Sequence, residues 1–382
     1  MKTYFILLVI LVFISCNSDS EKNTSDYSNI EYQVELFPDR KIYLDNRGRY
    51  FYSFQTQVFN DSVLIRKISK MSHIGLDFVN LNNGRRSSML FNEDILREIN
   101  LFRSFFYLSK DSIILTGRNK ILIVNDSGRI KYSHFLHPPE SAGAYLMSSM
   151  NDSPIFFRSG ILYASRLIDL PPAEIYPKNN LIGFDTKKDS FFELPGTTTP
   201  EIYYGKCYIF PHINTSHTFN EKKAILNFPI DDYVYVYDLD KQRMVAKHKA
   251  RSRHKTEEVK PVDCNKMWQS HTYRKQEYTS TTYISIAYDP YRKVYYRFVK
   301  HPKKEYDLKK QFNSLNLPFS IMVLNEDLQV IGETEILNEP PRYIHFDYFI
   351  NSEGLWISVN NPDNPEYDED RLVFQLFKLE ER

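Results

Sequence analysis

The first residue that could do chemistry is Cys16. Lys2 precedes an unbroken apolar run, Tyr4–Ile14, and a serine separates that run from the cysteine. A charge, a short apolar region and a small residue at the cleavage point are typical of a secretory signal peptide. The run is shorter than the roughly 20 apolar residues that span a bilayer. Residues 13–16 resemble a lipobox, although a phenylalanine stands where leucine or valine is usual. The sequence therefore predicts a signal peptide over residues 1–15 and acylation of the Cys16 thiol, the alternative being an ordinary cleaved signal with a chance cysteine.

Residues 16–29 are polar and lack apolar periodicity, which predicts a flexible tether. Several acyl chains on Cys16 would hold the protein stably at a membrane. Asp19 and Glu21 loosely resemble the acidic surface-export signal of Bacteroidota lipoproteins. We therefore expect an outer-membrane lipoprotein of the cell envelope, and we leave open whether it faces the surface or the periplasm.

Two further cysteines, Cys207 and Cys264, could pair in an oxidising envelope. The loop that a disulfide between them would close is long, which favours a sizeable entropic effect in the chain-entropy account. The alternative is two buried free thiols.

Basic side chains are concentrated in two stretches, Lys247–Lys255 and Lys300–Lys310. In the first, we single out a candidate loop for a ligand or partner, which consists of Arg251, Arg253, His254 and Lys255. Such a loop could recognise an anionic glycan, a phosphate headgroup or an acidic partner. The alternative is a solvated loop without a binding role.

Two hydroxyls are candidates for modification. Asp61-Ser62-Val63 and Asp111-Ser112-Ile113 resemble the O-glycosylation tripeptide of Bacteroidota. The sequence places Ser62 and Ser112 in turns that enter strands.

Motifs of catalysis are not evident in the sequence. No phosphate-binding glycine loop, nucleophile elbow or paired-histidine metalloprotease motif occurs. His212 and His217 are five apart, and an odd spacing puts two side chains on opposite faces of a strand. This spacing disfavours a metal site, and the favoured interpretation of the stretch is a surface loop. Asp231-Asp232 and Asp238-Asp240 are better explained as turn caps than as acid–base pairs. The sequence thus nominates no catalytic residue, no cofactor and no metal site.

The charge balance excludes a general nucleic-acid binder. The chain has 49 basic and 48 acidic side chains, and removal of residues 1–15 takes away only one lysine. A nucleic-acid footprint needs an excess of basic residues.

The elements that must position these residues are predicted to be strands. Aromatic residues make up 15% of the chain, with 28 Tyr and 27 Phe, and such side chains suit half-buried pleated surfaces. The clearest helix prediction is Asn92–Leu101, where acids precede spaced apolar residues. Elsewhere we expect short strands punctuated by Asn, Asp, Gly and Pro.

One unit recurs, an apolar strand followed by a polar turn and a second strand. Its copies are Gly75–Phe91, Lys120–Leu136, Asn180–Leu194, Tyr233–Lys249 and Phe319–Leu337. Another strand or strand pair precedes most copies, and four strands per repeat are typical of a β-propeller blade. A sixth unit, from residue 343 to residue 379, lacks an outer strand that Glu31–Phe37 could supply.

These patterns predict an all-β protein. The fold we expect is a single propeller domain over residues 30–382 with six blades, seven being an alternative, closed by an N-terminal strand. Closure in this way would remove open sheet edges. The competing architecture is two β-sandwich domains.

Residues Tyr288–Val299, Asp111–Leu115 and Ile321–Asp327 resemble the pattern of an uncharacterised Bacteroidota lipoprotein family, over about residues 30–380. The resemblance implies an exported protein with a propeller-like body and no established activity. The first segment has two interpretations. Arg292 and Arg297 could line a ligand surface, or the segment could be a hairpin that turns at Asp289-Pro290-Tyr291, with proline pre-set for the turn.

The favoured function is a non-enzymatic, ligand-binding or scaffold propeller, with a glycan, a peptide or an envelope protein as its partner. The alternative is a propeller hydrolase or lyase that acts on a polysaccharide, because the fold hosts both uses.

Lipidation can be tested directly. Cells that express the protein and are fed an alkyne fatty acid should label the wild type, whereas Cys16→Ala should carry no label because the acylated thiol is gone. The matched control, Cys264→Ser, should keep the label. Labelling of Cys16→Ala would show that the lipid is attached elsewhere.

Overall fold

The structure is a computed structural model. It describes residues 33–45, 55–70, 73–117, 120–135, 144–146, 151–168, 179–209, 215–267, 269–303 and 313–381, which belong to one packed unit. The predicted signal peptide, Cys16 and the tether lie outside the described residues.

The described chain is built mainly of strands. In chain order they are β1 (Val34–Asp45), β2 (Thr56–Phe59), β3 (Val63–Lys70), β4 (His73–Asn80), β5 (Arg86–Leu90), β6 (Ser104–Ser109), β7 (Ser112–Thr116), β8 (Lys120–Val124), β9 (Ile130–Phe135), β10 (Ala144–Leu146), β11 (Phe156–Arg158), β12 (Ile161–Ile168), β13 (Leu181–Asp185), β14 (Ser190–Glu193), β15 (Ser216–Phe219), β16 (Lys223–Asn227), β17 (Tyr233–Asp238), β18 (Arg243–Lys249), β19 (Thr282–Asp289), β20 (Val294–Lys300), β21 (Phe319–Leu324), β22 (Val330–Glu333), β23 (Ile344–Asn351), β24 (Gly354–Ser358) and β25 (Arg371–Glu381). The helices are α1 (Glu93–Ile99) and α2 (Ser270–Thr279), with 3-10 turns at Glu201–Tyr203 and Ser314–Asn316.

The strands form six antiparallel sheets that are arranged as the blades of a propeller. Blade 1 is β2–β5, blade 2 is β6–β9, blade 3 is β10–β14, blade 4 is β15–β18, blade 5 is β19–β22, and blade 6 is β23, β24, β25 and β1. The inner strands of neighbouring blades contact one another, as β15 does β19 and β2 does β23. The prediction of six blades is confirmed, and the two-sandwich alternative is wrong.

The N-terminal strand closes the ring. β1 pairs antiparallel with β25 from Val34 opposite Glu381 to Asp45 opposite Arg371, with a bulge between Pro38 and Lys41. It is the outer strand of blade 6, as predicted, although it begins at residue 34 and extends beyond Phe37. The first and last strands of the chain therefore share one sheet, and the circle has no open end.

The five repeated hairpins are confirmed as the third and fourth strands of blades 1 to 5. Their turns follow the expected chemistry. In the first, Asn80 Oδ1 accepts hydrogen bonds from the backbone N–H groups of Asn82 and Asn83, at 3.0 and 3.2 Å, and Gly84 has φ 68°. Asn side chains cap turns in this way, and glycine adopts positive φ without strain.

The hydrophobic core is divided among the contacts between blades. The described residues form six apolar clusters, one at each of the six junctions. Between blades 5 and 6, for example, the rings of Phe298 and Tyr348 stack with centroids 5.0 Å apart. Aromatic side chains bury large areas, so the high aromatic content of the sequence is explained by the packing of one sheet against the next.

The propeller has two unlike faces. On the first, which we call the hairpin face, strands one and two and strands three and four of each blade are joined by connections of two to five residues in blades 1, 2, 4 and 5. The described parts of the longest connections, residues 194–209 with 215, 250–267 with 269–281, and 301–303 with 313–318, lie on the opposite face, which we call the loop face. The chain enters β1 at the hairpin face, where Gln33 N–H donates to Ile331 O at 3.0 Å.

One of the two helices was predicted from the sequence and the other was not. α1 is the predicted helix, and Asn92 caps it by accepting a hydrogen bond from Ile95 N at 2.9 Å. α2 was missed, and the expectation of strand there is wrong. Its buried residues include Gln276 and Glu277, so no apolar periodicity marks it. Neither α1 nor α2, the helices of the described residues, is long and apolar enough to cross a membrane.

The closure of the ring can be tested on β1. Leu36 is 4% exposed, whereas Tyr43 on the same strand is 57% exposed. Leu36→Ala should lower the free energy of unfolding by about 2–5 kcal/mol, because it leaves a cavity between blades. Tyr43→Ala should change it by less than about 1 kcal/mol. Urea unfolding measures both, and equal effects would contradict a buried closing strand.

Candidate functional site

The connection between β18 and β19, residues 250–281, builds the most developed feature of the loop face. It begins with the basic loop that the sequence singled out and continues through a second loop into α2. The ends of blades 4 and 5 support it from below.

Two cations of the basic loop point into the protein. The side chain of Lys255 is fully buried, and its Nζ lies 2.7 Å from Asp232 Oδ1 and 3.0 Å from Glu258 Oε2. Arg251 Nη1 pairs with the same two acids, at 2.5 Å each. The positive charges of Arg251 and Lys255 are thus compensated by Asp232 and Glu258.

Asp232 is the centre of this network. The hydroxyl of Tyr283 also donates to its Oδ1, at 2.7 Å. Burial alone would raise the pKa of Asp232, but Lys255, Tyr283 and Arg251 outweigh burial and hold that pKa below its ordinary value. The carboxylate therefore stays ionised and fixes the start of the connection.

The other two residues of the predicted ligand loop contact blade 5. The backbone N–H of Arg253 donates to Glu333 Oε2 at 2.9 Å, and the Arg253 guanidinium pairs with Glu335 at 2.5 Å. His254 Nε2 lies 3.1 Å from Thr334 O. The structure thus brings Arg251, Arg253, His254 and Lys255 together as the anchored base of the connection, with their polar atoms turned toward the blades.

The segment Tyr288–Val299 is a hairpin, as its structural interpretation predicts. Asp289 Oδ1 accepts from the backbone N–H groups of Tyr291 and Arg292, at 2.9 and 3.0 Å. The fully buried Arg297 lies with its guanidinium 3.5 Å from the centre of the Tyr283 ring. It donates to Asn227 Oδ1 and Asp231 O, at 2.7 Å each. Arg297 therefore joins two blades beneath the basic loop and does not line a surface.

A groove of about 820 Å³ opens between the second loop, residues 256–266, and α2. This volume is within the roughly 300–1,000 Å³ of typical ligand sites. The lining side chains are mostly polar: Thr256, Glu257, Glu258, Val259, Lys260, Pro261, Val262, Asp263, Lys266, His271, Thr272, Lys275, Gln276, Thr279, Ser280, Thr281 and Pro302.

Three kinds of contact hold the walls of the groove in place. Cys207 and Cys264, the pair named from the sequence, form a disulfide with Cα atoms 5.2 Å apart. Val262 N–H donates to Cys207 O at 2.8 Å. The side-chain amide of Gln276 donates to Lys260 O at 2.6 Å and accepts from Ile209 N–H at 3.2 Å. The second loop is thus fixed both to α2 and to residues 207–209, which pre-organises the groove.

The groove offers hydrogen bonds and charges to a ligand. Glu258 is engaged by Arg251 and Lys255, and Asp263 accepts from Asn265 N–H at 3.0 Å. Among the residues that the structure describes, no group of three or more His, Cys, Asp and Glu side chains could hold a metal ion. What the geometry provides is a pre-formed polar surface.

His217 occupies a structural position near the middle of the ring. It is buried on β15, where its Nδ1 lies 3.0 Å from Ser165 Oγ and its Nε2 lies 2.9 Å from Pro154 O. Burial lowers the pKa of His217 to about 4. A surface position, one interpretation of the His212–His217 stretch, is wrong for His217, and His212 lies outside the described residues.

The aspartates near β17 act as turn caps. Asp231 Oδ1 accepts from Tyr233 N–H at 3.0 Å, and Asp238 Oδ1 accepts from Lys241 N–H at 2.8 Å. These contacts are those that the turn interpretation predicts.

Ser62 and Ser112 are both half-exposed and lie on the hairpin face. Ser62 stands in the turn before β3, as the sequence predicts, whereas Ser112 is the first residue of β7 and directly follows the turn. The Ser62 hydroxyl donates to Asn60 O at 3.1 Å. Their glycosylation stays a prediction.

The fold defines the class of protein: a six-bladed β-propeller. The chain belongs to the family described as a domain of unknown function, DUF4221, which matches residues 46–335. The resemblance to an uncharacterised Bacteroidota family is thereby confirmed.

Solved structures of Bacteroides proteins share the fold. A member of the DUF4221 family from Bacteroides vulgatus is 22% identical, with a TM-score of 0.77 over 92% of this chain and 100% of that one. A Bacteroides fragilis protein whose name describes it as a candidate exported protein is 11% identical, with a TM-score of 0.51 over 91% of this chain and 96% of that one. No curated protein matches the chain.

The position of His217 predicts a pH dependence. In the unfolded chain its imidazole binds a proton near pH 6.5, whereas in the folded chain it does so only near pH 4. Its contribution to stability is therefore complete above pH 6.5 and is lost as the pH falls toward 4, at about 1.4 kcal/mol per pH unit. His217→Gln should flatten the dependence of the unfolding free energy on pH in this range.

The matched control for this prediction is Ser165→Ala, which removes a partner of His217 but keeps the titrating group. It should retain the wild-type slope in urea unfolding between pH 4.5 and 6.5. An unchanged slope for His217→Gln would show that the imidazole is not the group responsible.

Proposed function

We propose that the protein is an exported, lipid-tethered propeller that binds a ligand outside the membrane and does not transform it. The observation that carries the proposal is the groove of about 820 Å³ on the loop face. The groove is built by a connection that the propeller does not need for its closure, and a disulfide and a side-chain amide hold its walls.

Export is supported by the signal-peptide pattern and by the lipobox-like stretch that ends at Cys16. The disulfide between Cys207 and Cys264 agrees with an oxidising compartment outside the cytoplasm. The name of the Bacteroides fragilis relative points in the same direction.

The groove and the first described residue lie on opposite faces of the propeller. Residue 33, the first described residue after the tether, lies on the hairpin face against β22. The groove lies on the loop face, at the other end of blades 4 and 5.

The side chains of the groove offer partners for the backbone of a peptide. Hydroxyl groups from Thr256, Thr272, Thr279 and Ser280 can exchange hydrogen bonds with the N–H and C=O groups of an extended chain.

The proposal can be tested with arrays of peptides and glycans probed by the labelled full-length chain in detergent. Thr279 lines the groove and is exposed, so Thr279→Trp should fill it and abolish binding. The matched control is Ser127→Trp on the hairpin face, which should bind as the wild type does. Binding that Thr279→Trp leaves intact, or a wild type that retains no array member, would contradict the proposal.

A further inference from the structure

We infer that the groove selects an acidic stretch of polypeptide, whose carboxylates lie between Lys260 on the second loop and Lys275 on α2. This inference rests on the proposed function and names the ligand class of the same groove. Its basis is the distribution of charge among the lining residues and their partners.

The acidic side chains of the groove are for the most part already engaged. Glu258 pairs with Arg251 at 2.5 Å and with Lys255 at 3.0 Å, both from the basic loop beneath. Asp263 lies 3.7 Å from Lys266 and caps the turn at Asn265. Of the acids that line the groove, Glu257 is left facing solvent without a described partner.

Two cations have no such compensation. Lys260 and Lys275 are exposed, line the groove and form no ion pair with any residue in the described part of the chain. Set against Glu257, they leave the open surface of the groove with an excess of positive charge. That excess favours a ligand of opposite sign.

Lys260 and Lys275 belong to opposite walls of the groove, and a hydrogen bond connects these two walls. The 2.6 Å hydrogen bond from Gln276 Nε2 to Lys260 O brings the backbone of the second loop against the last turns of α2. Lys275 is the neighbour of Gln276, and His271 is one helical turn before Lys275. Residues four apart share a helix face, so the wall formed by α2 presents His271, Lys275 and Thr279 in one row.

A polypeptide fits the remainder of the lining better than a free anion does. The groove is bordered by both the second loop and α2, and its lining includes the apolar side chains of Val259, Val262 and Pro302 together with hydroxyl groups. An extended chain needs partners for its backbone N–H and C=O groups, and these hydroxyls supply them. The carboxylates of its side chains would then meet the two lysines.

The experiment measures fluorescence anisotropy of two labelled, amidated peptides on the full-length chain in detergent. One peptide is an alternating Ser-Glu sequence and the other is its Ser-Gln counterpart. We expect the glutamate peptide to bind about tenfold more tightly, since two partly exposed ion pairs account for a difference of this size. The preference should shrink as salt is raised, because salt screens exposed charges.

The variant that tests the site is the double substitution Lys260→Glu with Lys275→Glu, which should abolish or reverse the preference. Its matched control is Lys187→Glu with Lys222→Glu, the same change of charge at two exposed lysines of the hairpin face. The control should keep the preference, which separates the groove from net charge. A wild type that binds both peptides equally, or a groove variant that keeps the preference, would overturn the inference.

The failure of the inference can be told from the failure of the proposed function. If the glutamate peptide does not bind but another array member does, and Thr279→Trp abolishes that binding, the acidic preference is wrong and the groove remains a binding site. If no peptide or glycan depends on the groove, both proposals are wrong.

Discussion

The structure depends on one constraint, the closure of a ring by pairing the first strand with the last. β1 and β25 exchange backbone hydrogen bonds along most of their lengths, from Val34 to Asp45. Each blade buries its apolar faces only against its neighbours, so an open ring would expose two of those faces and two strand edges. The packing of the six clusters between blades depends on this closure.

Much of the fold could be predicted because it is specified by interactions between residues that are close together in the chain. The hairpin at Asn80–Gly84 is specified by residues a few positions apart, and the cap of α1 by Asn92 and Ile95. α2 could not be predicted, because its buried face includes Gln276 and Glu277, which bond to distant groups such as Lys260 O and Lys300 Nζ. Polar burial of this kind leaves no period in the sequence.

The candidate site was the harder part to predict for a related reason. The sequence identified the positive charge of Arg251 and Lys255, but not that Asp232 and Glu258 compensate it. The groove itself is a space between two segments, and its only signal in the sequence was the pair Cys207 and Cys264. The run of basic residues thus indicated the right region but not the right contacts. Which acids pair with these cations depends on the blade ends that lie beneath the loop.

The division into two unlike faces has a consequence for how this family can diversify. A one-residue change in a tight hairpin shifts the register of a strand and turns every side chain to the other face, so the hairpin face tolerates little change in length. Connections such as residues 250–281 and 301–318 can lengthen at a small entropic cost. Insertions and deletions should therefore accumulate on the loop face, while members of the family inherit the same ring.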